Sequence, residues 1–127
     1  MAKEPDPLRL SFRGETFALT PTAEYPFELL ETERYEAWID GILDLKTNAR
    51  ITNNVGRMRR GLFGDWKDVD GVFEMRLDFG PGYRVYYARH GKIVIILLGG
   101  GDKSSQQKDI KAARELWERV KDEIKEV

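Results

Sequence analysis

The stretch from Val72 to Leu98 limits the fold more than any other part of this 127-residue chain. It holds three runs, Val72–Phe79, Tyr83–Arg89 and Lys92–Leu98, separated by Gly80-Pro81-Gly82 and by His90-Gly91. The first two runs alternate apolar and polar residues, the period of a half-buried strand, and both links have the composition of hairpin turns. From Ile93 to Leu98 the third run is wholly apolar, as a strand covered on both faces requires. A three-stranded antiparallel sheet is therefore expected, with helices to cover it. That apolar run is also far short of the roughly 20 residues of a membrane span.

The flanks supply the helices. Phe27–Glu31 reads as a short strand, and Thr32 can cap a helix in which Tyr35, Trp38, Ile39 and Ile42 share one side, ending near Asp44. A second helix from about Lys46 places Ile51, Val55, Met58 and Leu62 on its buried stripe, and Gly61 marks its end. Its other face carries Arg50, Arg57 and Arg60. Gly64–Asp68 reads as a loop and Gly99–Asp102 as a flexible break. A last helix, capped by Ser104 or Ser105, buries Ile110, Ala113, Trp117, Val120 and Ile124. Two helices, an antiparallel sheet and a final helix make an α+β fold. Ahead of them, Leu8–Phe12 and Thr16–Thr20 alternate around Arg13-Gly14-Glu15, a candidate hairpin. Residues 1–24 thus read as an N-terminal extension and 25–127 as the main domain. Such a hairpin can cover a sheet edge or make a homo-oligomer contact.

Composition removes several chemistries. The chain has no Cys and one His, His90, so thiol nucleophiles, disulfides, Cys-bound zinc and His-pair metal sites are excluded. No metal or cofactor is expected. Met-Ala-Lys-Glu-Pro-Asp-Pro has no apolar signal-peptide core, so a cytoplasmic protein without membrane contact is expected. The net charge of −1 hides a partition. Residues 1–49 hold 5 basic and 10 acidic groups, residues 50–103 hold 10 and 6, and residues 104–127 hold 6 of each. A basic middle can attract an anion, because charges act over a Debye length of about 8 Å rather than over the whole chain.

The candidate chemistry lies in that basic middle. Along Val72–Phe79, Glu74, Arg76 and Asp78 face away from Phe73, Met75, Leu77 and Phe79. Arg84 and Tyr86 similarly oppose Tyr83, Val85 and Tyr87. With the apolar rows under the helices, Arg76, Arg84 and Tyr86 share an uncovered face. A hairpin symmetric about Pro81 would set Arg76 opposite Tyr86 and Asp78 opposite Arg84, and the third strand would deliver Lys103 to the same surface. Two guanidiniums and an ammonium suit phosphate oxygens and the charge that grows on them, and a tyrosine can stack on a base. The structural alternative is that Arg84 merely pairs with Asp78, and Arg76 with Glu74. Gly99–Ser104 lacks the glycine spacing of a P-loop. His90 reads as a turn residue, and Trp38 and Trp117 as core. Trp66 reads as a loop anchor or a stacking platform.

Three pieces carry a resemblance: Gly64-Asp-Trp-Lys-Asp-Val69, Glu74 to Tyr87 with its Gly-Pro-Gly-Tyr-Arg core, and Gly100-Gly-Asp-Lys-Ser-Ser-Gln106 with Asp109-Ile110. Over roughly residues 25–125 the chain resembles the addiction module killer proteins, the HigB-like branch of the RelE/ParE toxin superfamily. The resemblance implies the α+β fold of that superfamily. It also implies a type II toxin that cleaves mRNA, often on the ribosome, and is silenced by a helix-turn-helix antitoxin. It makes Arg76, Arg84 and Lys103 the phosphate-handling catalytic groups and Lys67 an RNA contact. Tyr86, Arg57 and Arg60 join it as candidate RNA contacts. The 2′-hydroxyl of the RNA would attack the adjacent phosphate, assisted by charge rather than metal. A gyrase-poisoning toxin of the ParE type, or an inactive relative that only binds an antitoxin, are the alternatives.

Overall fold

The computed structural model describes residues 10–11 and 22–123. In chain order the elements are β1 (Leu10–Ser11), β2 (Glu28–Thr32), α1 (Glu33–Asp40), α2 (Leu45–Gly56), a 3-10 turn (Arg57–Arg60), β3 (Asp65–Val69), β4 (Val72–Leu77), β5 (Tyr83–His90), β6 (Val94–Gly101), a second 3-10 turn (Lys103–Ser105) and α3 (Gln106–Val120). The fold is α+β, as expected. Among the described residues no helix is long and apolar enough to cross a membrane.

The sheet is mixed rather than antiparallel, in the order β1-β2-β6-β5-β4-β3, because β2 lies parallel to β6. That pairing joins segments separated by both helices and three strands, and local periodicity carries no record of it. Thr32 caps α1 by accepting the Tyr35 N–H, while its hydroxyl donates to the Leu97 carbonyl of β6 at 2.8 Å. One side chain thus starts the helix and ties it to the central strand.

Helices cover both faces. On one, Tyr35, Ile39, Ile51, Val55 and Met58 pack against Met75, Val85, Tyr87, Ile95 and Leu97. On the other, Ala113, Leu116 and Val120 of α3 pack against Val72, Tyr86, Ala88, Ile96 and Leu98. The face expected to be open is therefore partly roofed by α3, and Tyr86 is fully buried. β6 is buried on both faces, as its apolar run implied.

Several boundaries move. Asp65–Val69 is an edge strand, not a loop. It pairs with β4 through the two-residue turn Asp70-Gly71, whose φ values are 60° and 96°. Asp-Gly is the strongest short hairpin signal, but the charged strand before it lacks the expected alternation, as edge strands often do. β6 begins at Val94 and runs on through Gly99–Gly101. The glycines are there because side chains lie against the strand. A Cβ on Gly100 would collide with the Trp38 indole, and one on Gly101 with the Asp109 carboxylate. Ser105 is the N-cap residue of α3 but makes no capping side-chain bond, and Asp102 caps the 3-10 turn before it, accepting the Ser104 N–H at 2.8 Å. Leu62 is exposed, and Leu116 takes a buried place on α3 beside the half-buried Ile110 and Trp117. The N-terminal hairpin and Ile124 lie outside the described residues, except that Leu10–Ser11 pairs antiparallel with β2 at the sheet edge.

Candidate functional site

The site grows from strand register. The β4–β5 hairpin closes with Leu77 opposite Tyr83, one residue away from symmetry about Pro81, so Arg76 faces Arg84 and Glu74 faces Tyr86. Adding the neighbouring strands gives two rows on the α3 side of the sheet. One runs Asp65, Arg76, Arg84, Gly101 and the next runs Lys67, Glu74, Tyr86, Gly99. Like charges directly opposite across a strand pair repel, so the Arg76–Arg84 pairing is a cost that some other interaction must offset.

Buried partners meet only part of that cost. Glu74 is fully buried, and its Oε2 accepts from the Tyr86 hydroxyl at 3.1 Å and from Gln106 Nε2 at 2.8 Å. Its Oε1 lies 3.7 Å from Arg76 Nε, an ion pair without a hydrogen bond. Arg76 Nε also sits 3.8 Å from an Asp65 carboxylate oxygen. The structural alternative is therefore half right, since Arg76 does pair with Glu74. Arg84 does not pair with Asp78. Only 6 % exposed, it donates from Nη1 to the carbonyls of Tyr83 at 3.1 Å and Gly82 at 3.3 Å. Arg84 Nε and Arg76 Nε are both buried without a hydrogen-bond partner. Buried charges lacking partners are expensive, and they concentrate where a ligand supplies the missing acceptor.

Lys103 completes the group. Gly82, at φ +82°, has no side chain, and the Lys103 stem occupies the space a Cβ would take, within 2.9 Å of its Cγ and Cε. Gly82 thus lets the turn close, receives Arg84 and makes room for Lys103, whose ammonium is exposed. Arg76 and Arg84 are cross-strand neighbours, and the Lys103 stem packs on Gly82, whose carbonyl accepts from Arg84.

The candidate RNA contacts divide. Tyr86 cannot stack on a base from beneath α3. Burial and the neighbouring Glu74 carboxylate push its phenol well above the ordinary tyrosine range, so it serves as a neutral donor to Glu74. This corrects its assignment as an RNA contact. Lys67 is exposed on β3 in the Glu74 row. Arg57 is exposed, bonds Asn54 at 3.3 Å and lines a cleft of about 370 Å³ with Arg50 and Arg76. Arg60 is exposed on the first 3-10 turn and does not line that cleft. Trp66 is half exposed on β3, edge-on to Phe73, and His90 packs edge-on against Trp117.

Glu74 and Gln106 were not expected as functional. A lone acid between Phe73 and Met75 was the available sign for Glu74, whereas Gln106 meets it only through tertiary packing. A larger groove of about 1210 Å³ lies between α1 and α3, floored by Trp38, Gly100 and Leu116. Its ion pair, Arg34 with Asp109 at 4.0 Å, gives the buried carboxylate side a partner. The charged row holds two neighbouring guanidiniums whose buried Nε atoms lack acceptors and is the better candidate for chemistry.

No protein-family model matches the chain. No solved structure matches it either. An uncharacterised protein of Haemophilus influenzae is 43 % identical to it over 90 residues, covering 70 % of this chain and 91 % of that protein. At that identity and coverage, the chain belongs to the same family as the Haemophilus influenzae protein.

Proposed function

We propose that this protein is a toxin of a type II toxin–antitoxin module, of the HigB-like branch of the RelE/ParE superfamily, acting as a metal-independent mRNA endoribonuclease. The observation that supports the reading best is the cross-strand Arg76–Arg84 pair, each guanidinium with a buried Nε lacking an acceptor, beside the Lys103 ammonium. A phosphodiester supplies acceptors to the two guanidiniums and a counter-charge to Lys103. Its non-bridging oxygens accept from Arg76 and Arg84, whose positive charge stabilises the negative charge added in the transition state.

The step needs no covalent enzyme intermediate. The RNA 2′-oxygen attacks the adjacent phosphorus, the bond to the 5′-oxygen breaks, and a 2′,3′-cyclic phosphate and a 5′-hydroxyl result. The 2′-hydroxyl proton leaves to water and the 5′-oxygen takes one from water. Lys103 contributes positive charge at the solvent side. DNA lacks the attacking group and is not a substrate. A cytoplasmic site of action on ribosome-bound mRNA, and silencing by a helix-turn-helix antitoxin, follow from the family resemblance.

Induced expression in a bacterial host, with primer-extension mapping of transcripts, tests the proposal. Growth arrest with new 5′ ends is expected, and Arg84→Ala and Lys103→Ala should both relieve it. Arrest with DNA damage and intact mRNA would instead indicate the gyrase-poisoning reading. No arrest at all would leave an antitoxin-binding protein. If both variants remain as toxic as the wild type, the assigned site is wrong.

A further inference from the structure

A second recognition site adjoins the charged row. Pairing of β3 to β4 begins at Asp65 opposite Arg76, so Leu77, Asp78 and Phe79 have no strand beside them on that side. The cleft of about 370 Å³ opens there, between the end of β4 and α2. Arg50 and Asn54 of α2, with Arg57 at the start of the following 3-10 turn, recur at four- and three-residue spacing and form one wall. Its floor is apolar, with Leu77 buried and Phe79 half-buried. The Arg50 guanidinium packs 3.9 Å from the Phe79 ring centroid, so a planar cation already sits on the aromatic floor. Asp78 is exposed at the rim, and Arg76 lines both this cleft and the charged row.

We infer that this cleft holds one nucleotide of the RNA strand, next to the phosphodiester carried by Arg76 and Arg84. Each part of a nucleotide finds its chemistry. A flat base suits the apolar floor and the stacked Arg50 plane. Its N–H edge suits the Asp78 carboxylate, and its phosphate suits Arg57. An inorganic anion would make no use of Leu77 and Phe79. A peptide helix would not fit a space of this size, which is at the low end for small-ligand sites. The shared Arg76 gives the continuity that one strand crossing both sites requires. The inference rests on the phosphodiester reading for the identity of the strand, and on the cleft itself for the nucleotide.

Titration of 5′-GMP and of inorganic phosphate into the isotope-labelled protein, followed by amide NMR shifts, separates the two sites. Guanine is the apt probe because N1–H and the N2 amine present adjacent donors to a carboxylate. GMP should shift Asn54, Arg57 and Phe79, and phosphate should shift Gly82 and Lys103. Arg57→Ala, at an exposed position, should weaken GMP binding by about tenfold, the loss of one charge-assisted contact, and leave the phosphate-induced shifts at Gly82 and Lys103 unchanged. Equal GMP affinity in Arg57→Ala and wild type, or GMP shifts confined to Gly82 and Lys103, would overturn the inference. Arg57-dependent GMP binding without any phosphate binding would instead overturn the phosphodiester reading and leave the nucleotide cleft standing.

Discussion

The two faces of one sheet solve their packing differently. Beneath α1 and α2 the buried positions of β4, β5 and β6 are apolar, and the one phenol among them, Tyr87, lies between Phe63 and Phe73 in stacked contacts. Beneath α3 the same strands alternate into a core that is apolar only at one end. At the other end it carries Glu74, Tyr86 and Arg84, all buried. Apolar closure contributes roughly 25 cal/mol per Å² of surface removed from water and needs no partner geometry. Buried charges cost free energy unless every donor and acceptor is met. The α3 face leaves Glu74 Oε1, Arg76 Nε and Arg84 Nε unmet. A sheet that can build a complete apolar core on one face retains such atoms on the other where they serve something besides folding.

Mutation can break that contrast directly. Ile95 and Ile96 are adjacent, both fully buried, and face opposite cores. Ile95→Ala opens a cavity among close-packed rings and should cost the most, about 4 kcal/mol in denaturant unfolding. Glu74→Ala should cost about 3 kcal/mol, because the Tyr86 hydroxyl and Gln106 amide lose their acceptor and Arg76 loses a counter-ion. A smaller loss would show that the polar end of the α3 core is solvated rather than closed.

Gly101→Ala drives a methyl into the Asp109 carboxylate and Ser105 hydroxyl, and should cost about 2 kcal/mol by the same measurement. Arg84→Met separates function from stability most cleanly. Methionine matches much of the buried volume without the charge or the repulsion from Arg76. Unfolding free energy should stay level or rise by about 1 kcal/mol, while phosphate binding and growth arrest are lost. A destabilised Arg84→Met protein would mean that Arg84 is a structural residue and the contrast between faces is false.

The two faces were also unequally legible. Alternation along Val72–Leu77 and Tyr83–His90 placed each residue on its correct face, and the apolar run of β6 announced a strand buried on both sides. Register did not follow from that pattern. The Gly80-Pro81-Gly82 link admits more than one closing pair, and a shift of one residue in its centre of symmetry exchanges Tyr86 for Arg84 as the neighbour of Arg76. The roof over the site was illegible because the last helix can pack on either face, its apolar stripe being the same in both cases. The glycines of β6 read as a break because their cause lies in the side chains of α1 and α3, far away in sequence. Residue type and resemblance point to Arg76, Arg84 and Lys103, while the bonds of Glu74 to Tyr86 and Gln106 become visible only in the structure.

The finest form of the comparison is a pair of neighbours, Tyr86 and Tyr87, which point to opposite faces of β5. Burial pushes the Tyr87 phenol up to about 12, with Arg89 opposing. Tyr86 is pushed further, by burial and then by the Glu74 carboxylate that accepts its hydrogen bond. Both folded values exceed the unfolded value near 10. The stabilisation linked to each is therefore complete below about pH 10 and is lost as pH rises through the folded value. Near neutral pH this stabilisation does not vary with pH, and its loss begins only above about pH 10. Ultraviolet titration should show Tyr87→Phe removing the earlier of two late phenolate transitions and Tyr86→Phe the later. Glu74→Gln takes away the charge but leaves the burial, so it should bring the Tyr86 transition toward that of Tyr87. An unchanged gap between them would locate the difference in burial alone, and the carboxylate would no longer distinguish the faces.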